Sequence, residues 1–193
     1  MDLVLGSSSR YRRELLARLT TTFRVMSPDV DETPLPNELP RDLAIRLANA
    51  KARAVADRCE GAIVIGSDQV ADLDGDALGK PGTIDNAIRQ LTACSGRIVV
   101  FHTAMSVIDR RTAVWKTFDV IDTTRVKFRN LDRDEIARYV ELEKPIDCAG
   151  SFKSEGIGIA LFESIETIDP TGLVGLPMIA LCELLRHVGV NVL

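Results

Sequence analysis

The side chains of this sequence that could do chemistry are five cations, Arg12, Arg13, Lys51, Lys80 and Lys153, and three carboxylates, Asp31, Glu32 and Asp68. Most are framed by Gly, Ser or Pro, as in Gly79-Lys80-Pro81-Gly82 and Gly150-Ser151-Phe152-Lys153-Ser154. Glycines there let the backbone approach a ligand closely. Fixed cations around such turns suit a bound polyphosphate, whose chemistry mainly needs positioning and stabilisation of charge. Asp29, Asp31 and Glu32 repel one another unless a cation sits nearby. Hard divalent cations take such oxygens. A solvated, proline-framed loop accounts for the same charges equally well.

Asp68 follows Ile63-Val64-Ile65, a β-branched run that suits a strand covered on both faces. Gly66 and Ser67 break the run. The carboxylate then stands where a buried strand would surface, the place where open α/β sheets collect ligands. Asp68 is therefore the expected chemical centre, unless Ser67-Asp68 only caps a turn. Upstream, Leu3-Val4-Leu5 reads as a strand, Gly6-Ser7-Ser8-Ser9 as a loop, and 10–19 as a helix with Leu15, Leu16 and Leu19 on one face. Such a junction offers free N–H groups and a positive dipole end to an anion. Arg12 and Arg13 oppose that dipole and call for a compensating anion such as phosphate, or else lie on a solvated face.

The elements that must position these groups follow in order. Phe23-Arg24-Val25 reads as a short strand. A helix is predicted over 40–58, with Leu43, Leu47, Ala50 and Ala54 on one face, and Lys51 alone reads as a surface lysine. Asp74-Gly75 predicts a hairpin turn. An EF-hand is excluded there, because Thr83 stands where the loop needs its final Glu. Thr83 caps a helix over 84–93, with Ile84, Ile88 and Leu91 inward. Long strands are predicted over 98–108 and 114–128, joined by a turn at Asp109-Arg110-Arg111-Thr112, with His102 and Trp115 structural. Asp132 and Glu135 make a capping box for a helix through Val140. A strand is expected over 159–162, and Pro177 opens a last helix that ends at Gly189.

The 193 residues, 46% of them hydrophobic, fit one compact domain spanning 1–193, or two small lobes around a central cleft. No run approaches the ~20 apolar residues of a membrane span. No signal peptide is read at Met1-Asp2, so the expectation is a cytoplasmic protein without a membrane partner. The net charge of −4 argues against nucleic-acid binding. Cys59, Cys94, Cys148 and Cys182 lie far apart and read as reduced core thiols. With only His102 and His187 beside them, a zinc site is not expected.

The ordered motifs Leu5-Gly6-Ser7-Ser8-Ser9-Arg10-Tyr11-Arg12-Arg13-Glu14-Leu15-Leu16, Val30-Asp31-Glu32-Thr33, Ile65-Gly66-Ser67-Asp68-Gln69-Val70, Gly79-Lys80-Pro81, Gly150-Ser151-Phe152-Lys153-Ser154-Glu155-Gly156 and Val174-Gly175-Leu176-Pro177 resemble the Maf family of nucleoside triphosphate pyrophosphatases, also called septum formation inhibitor proteins. The resemblance spans nearly the whole chain. It implies an α/β fold with a long, curved, mixed sheet flanked by helices, shared with inosine triphosphatases, and often a homodimer. It implies hydrolysis of a small-molecule nucleoside triphosphate to monophosphate and pyrophosphate with a divalent cation, Mg²⁺ or Mn²⁺. Asp68 becomes the catalytic carboxylate and proton acceptor, a metal ligand, or both. Ser7, Arg12, Arg13, Lys51 and Lys80 would hold substrate and phosphates, and Glu32 with Asp68 the metal. Gln69 and Lys153 resemble the branch that hydrolyses 7-methyl-GTP; the branch using dTTP and UTP carries Thr and Gln there. Tyr11 is the third specificity residue: an aromatic face attracts a cationic N7-methylated ring by ~0.5–2 kcal/mol. Two positions depart from the family, Gly6 where Ala is usual and Arg10 where Pro is usual. A nucleotidyltransferase and a non-enzymatic nucleotide sensor acting on cell division are the rival readings.

Overall fold

The structure, a computed structural model, describes residues 2–193. It opens with β1 (Asp2–Gly6), α1 (Arg10–Leu16) and β2 (Arg24–Met26). The helix α2 (Pro40–Ala56) leads into a hairpin of β3 (Ala62–Leu73) and β4 (Asp76–Leu78). Then come α3 (Ile84–Cys94), the strands β5 (Ile98–Asp109) and β6 (Lys116–Phe128), α4 (Arg133–Glu143), β7 (Phe162–Glu166) and α5 (Met178–His187). All seven strands share one mixed sheet, ordered β2-β1-β3-β5-β6-β7, with β4 added to β3. The pairs of β1 with β2 and β3 are parallel, and the rest are antiparallel.

Helices cover both faces, which is why Ile63, Val64 and Ile65 are all buried without alternation. On one face α2 packs Ala52, Val55 and Ala56 against Val4, Val64 and Ile108. On the other, Leu15 and Leu16 of α1 and Leu181 and Leu185 of α5 pack on Leu5, Ile65 and Met105. Further along that face, Leu91, Ile136 and Tyr139 close over Phe101 and Phe128. Each of the buried Val, Leu, Ile, Met and Phe side chains contributes roughly 1.5–3 kcal/mol on burial. The predicted hairpin turn has Asp74 at φ 54° and Gly75 at φ 94°, the left-handed pair that a tight hairpin needs. The Asp132–Glu135 capping box is formed on both sides. Among the described residues no helix is long and apolar enough to cross a membrane.

Four expectations are corrected. First, β3 does not stop at Gly66; β5 pairs with it without interruption from Ile63 to Asp72. What stops is β1, whose last pair is Gly6 with Gly66. On the same edge β4 joins only at Ala71. Segment 67–70 therefore has one edge with no strand beside it among the described residues, and Asp68 surfaces past the end of its neighbour. Gly66 is needed because α2 crosses it on bare backbone: a Cβ would lie 2.4 Å from the Ala52 nitrogen. Second, the buried face of α2 is Leu43, Ala44, Leu47, Ala48, Lys51, Ala52, Val55 and Ala56, so Lys51 points inward. Third, Ile84 is exposed; α3 buries Leu91 and packs Ile88 on the core as expected, and adds Ala87 and Cys94. Fourth, 159–162 is not a strand: a 3-10 turn occupies Ile157–Leu161 and β7 starts at Phe162. Gly158 nests against the Lys153 carbonyl there, where a Cβ would sit 2.4 Å away, and this holds the chain in the turn.

Candidate active site

A cavity of about 700 Å³ lies over the open edge of β3. The end of β1 supplies Ser7, α1 supplies Tyr11 and Arg12, and the loop after β4 supplies Lys80. Asp68, Gln69 and Val70 line its middle, with Leu47 and Lys51 from α2 and Glu32 from the proline-framed loop.

Lys51 is 5% exposed, and its Nζ lies 2.5 Å from Asp68 Oδ1 and 2.6 Å from Glu32 Oε1. Burying an ion costs several kcal/mol unless partners compensate, and here one ammonium serves two carboxylates. Asp68 is 6% exposed. Burial pushes its carboxyl above the usual aspartate range, and Lys51 and Arg12 only partly offset this. Burial acts on Glu32 in the same sense, but Lys51, Lys80 and Arg12 outweigh it and hold that carboxyl low. The inner carboxylate thus has the higher proton affinity of the two, and the outer one is held in its ionised form.

The donor set fits a hard divalent cation. Glu32 and Asp68 offer carboxylate oxygens converging on one ammonium position. Among the described residues no group of three or more His, Cys, Asp or Glu gathers as a metal cage. Mg²⁺-type sites commonly use one or two carboxylates and complete their shell with phosphate oxygens and water.

Arg12 is placed by the loop 169–177. Its Nε donates to the Gly175 carbonyl at 2.7 Å, and Nη1 to Ser7 Oγ at 3.4 Å. Gly175 has φ 118°, which disfavours any side chain there. Ser67 Oγ donates to the same Gly175 carbonyl at 3.0 Å. The Gln69 amide donates to the carbonyls of Gly172 and Leu173 at 2.9 and 3.0 Å, and Thr103 Oγ1 to Gly172 at 2.9 Å. Ser67 and Gln69 alternate with Asp68, so β3 binds this loop with one face and Lys51 with the other. Asp169, 3% exposed, fastens the loop to α5 by accepting from the Thr171 hydroxyl and the Ile179 N–H, each at 2.6 Å. From sequence, Val174-Gly175-Leu176-Pro177 is only a family motif and Ser67 only a strand breaker or turn cap, and neither Thr103 nor Asp169 is singled out.

Of the expected site residues, Ser7, Tyr11, Arg12, Glu32, Lys51, Asp68, Gln69 and Lys80 line one cavity. Asp31 lies outside it, exposed, and accepts the Thr33 N–H. Arg13 also lies outside, on the exposed side of α1. Lys153 does not line the cavity either: its Nζ donates to the Glu143 carbonyl at 2.8 Å and pairs with that residue's carboxylate. Its neighbours Ser154 and Glu155 do line the cavity. Tyr11 is half-buried, and burial raises its hydroxyl to about 12. Cys148, also missed, lies 3.7 Å from that hydroxyl, its thiol pushed by burial to about 11.

A mixed sheet with helices on both faces is the architecture of the inosine-triphosphatase-like proteins. A HAM1 protein from Coxiella burnetii superposes with a TM-score of 0.53 at 15% identity, covering 97% of this chain and 99% of that one, a likeness of fold. The sequence pattern of the Maf-like protein family matches residues 2–188, and the chain belongs to that family. It is 57% identical over 187 residues to a protein of Aromatoleum aromaticum described as a 7-methyl-GTP pyrophosphatase, covering 97% of this chain and 95% of the relative. A Burkholderia thailandensis protein with the same description is 55% identical over 190 residues, covering 97% and 87%.

Proposed function

We propose that this chain is a nucleoside triphosphate pyrophosphatase that prefers 7-methyl-GTP and releases the nucleoside monophosphate and pyrophosphate. The observation that carries the reading is the buried Lys51 ammonium, held between Asp68 and Glu32 in the cavity that also receives Arg12 and Lys80. Such a cluster of fixed charge is worth most when a polyphosphate fills it. Relatives at 55–57% identity that carry the 7-methyl-GTP description support the substrate.

In this reading Ser7, Arg12, Lys51 and Lys80 hold the phosphates. Lys51 binds Asp68 through Oδ1, which leaves the second carboxylate oxygen to take a proton from water. As that water's oxygen bonds to the α-phosphorus, the bond to the bridging oxygen breaks and pyrophosphate leaves with its electron pair. Mg²⁺ or Mn²⁺ held by Glu32 and Asp68 would supply neutralisation of phosphate charge. The same reading treats 1–193 as one domain of a cytoplasmic homodimer; the free thiols Cys59, Cys94, Cys148 and Cys182 suit a reducing compartment, and light scattering tests the dimer.

A nucleotide panel with Mg²⁺ or Mn²⁺ tests the proposal. Turnover is expected to be highest on 7-methyl-GTP, to yield free monophosphate without any acceptor, and to fall about 10²–10⁴-fold in Asp68→Ala. Equal rates on UTP and dTTP would remove the substrate preference. Binding without turnover would favour a sensor.

A further inference from the structure

Arg10 stands at the mouth of the base-recognition question. Its guanidinium carbon lies 4.7 Å from the centroid of the Tyr11 ring, and its Nη2 donates to the Tyr11 hydroxyl at 2.8 Å. Both residues line the cavity, together with Asp147 and Cys148. Asp147 is near enough to act electrostatically on both. Among the described residues Arg10 has no ion pair, and its side chain makes no hydrogen bond except the one to Tyr11. Its side chain is exposed and buttresses nothing in the core.

An aromatic face beside a carboxylate attracts a planar, delocalised cation. A guanidinium is one such group, and a purine methylated at N7 is another. The chain therefore already holds a planar cation on the ring that a cationic base would use. We propose that Arg10 is a specificity-determining residue: its guanidinium is an internal competitor that must leave the Tyr11 ring before a base stacks there, and it narrows the preference for cationic over neutral purines. The proposal rests on the nucleotide-binding reading above. A neutral base loses only the displaced contact. A cationic base also meets the charge of the displaced guanidinium, which stays tethered beside it. A contact of this kind at an exposed site corresponds to about twofold to fivefold in binding.

The test uses the full-length protein and two ligands that cannot react, 7-methyl-GMP and GMP, titrated by calorimetry. Arg10→Ala is expected to tighten 7-methyl-GMP about twofold to fivefold and GMP less, so that the ratio of the two dissociation constants widens. In a Tyr11→Ala background the gain should shrink. Unchanged or weaker binding of both ligands in Arg10→Ala would overturn the proposal, because Arg10 would then be neutral or a ligand rather than a competitor. An unchanged ratio would overturn it as well. Failure of the wild-type protein to turn over any triphosphate would refute the hydrolase reading alone, since the monophosphate titrations read Arg10 without chemistry.

Discussion

At one end of the cavity, Lys51 and Asp68 are 5% and 6% exposed and project from α2 and β3, whose inward-facing residues form the core. At the other end, Arg10 is exposed, Tyr11 is half-buried, and their neighbours Asp147, Cys148 and Glu155 belong to a loop. Asp68 and Lys51, the proposed base and its partner, thus stand on elements that packing locks in place, while Ser7, Glu32 and Lys80 come from loops. Arg10 and Tyr11, proposed for stacking the base, stand on the first turn of a short helix and face a loop. Sub-ångström placement matters for moving a proton and much less for stacking a ring. Reaction and preference can therefore vary independently in this architecture.

The largest expected effect breaks the rigid end. Lys51→Met leaves Asp68 and Glu32 without their shared ammonium, and a broken buried pair costs about 3–5 kcal/mol. Urea denaturation should show that loss, together with the disappearance of turnover. An unchanged midpoint would mean the charges do not depend on one another.

Next in size is the pH dependence. Burial first, and then Glu32, raise the proton affinity of Asp68. Its ionised form is lost as pH falls through a value above the ordinary 3.8, so the acid limb of kcat/KM should lie above that of a free aspartate. Because this folded-state value is raised, the neutral form adds stability at low pH, and that contribution is lost as pH rises through it. Glu32 works in the opposite sense: its value is lowered, so its contribution exists above its unfolded value and is lost as pH falls through the folded one. Glu32→Gln should move the acid limb to lower pH. A limb that stays in place or moves up would separate the two carboxylates.

The smallest effect sharpens the exposed end. Lys153→Gln gives up the bond to the Glu143 carbonyl, worth about 1 kcal/mol. Thermal melting should register that loss. The ratio of 7-methyl-GTP to UTP turnover should change less than it does in Tyr11→Ala, because Lys153 lies outside the cavity that Tyr11 lines. A larger change would return Lys153 to direct contact with the base.

What could be read in the sequence divides along the same line. The strand at Leu3–Leu5, the serine loop, the helix expected over 10–19, the Asp74-Gly75 turn and the Asp132–Glu135 box all rest on local rules, and all formed, the helix ending at Leu16. Lys51 was misjudged by a single helical position. A readable signal existed, since Ala44, Ala48, Ala52 and Val55 mark a stripe of small residues with the lysine inside it. Gly66 looked like a strand end because its bare backbone suits a break as well as a helix crossing, and only the crossing helix decides between them. The loop that places Arg12 works through carbonyls of Gly172, Leu173 and Gly175, and a carbonyl carries no sequence signature. Arg13 and Lys153 had the right charge in the right motif, but which way each side chain turns is set by tertiary packing.

The unzipped stretch of β3 between the last rung of β1 and the first of β4 sets the size of the cavity. Were the first strand two residues longer and the return strand to run two residues past Leu78, the four-residue gap would close and the sheet would seal. A missing piece of sheet is thus as much a part of this site as any charged atom, and strand extensions that filled it would silence the site with Asp68 and Lys51 unchanged.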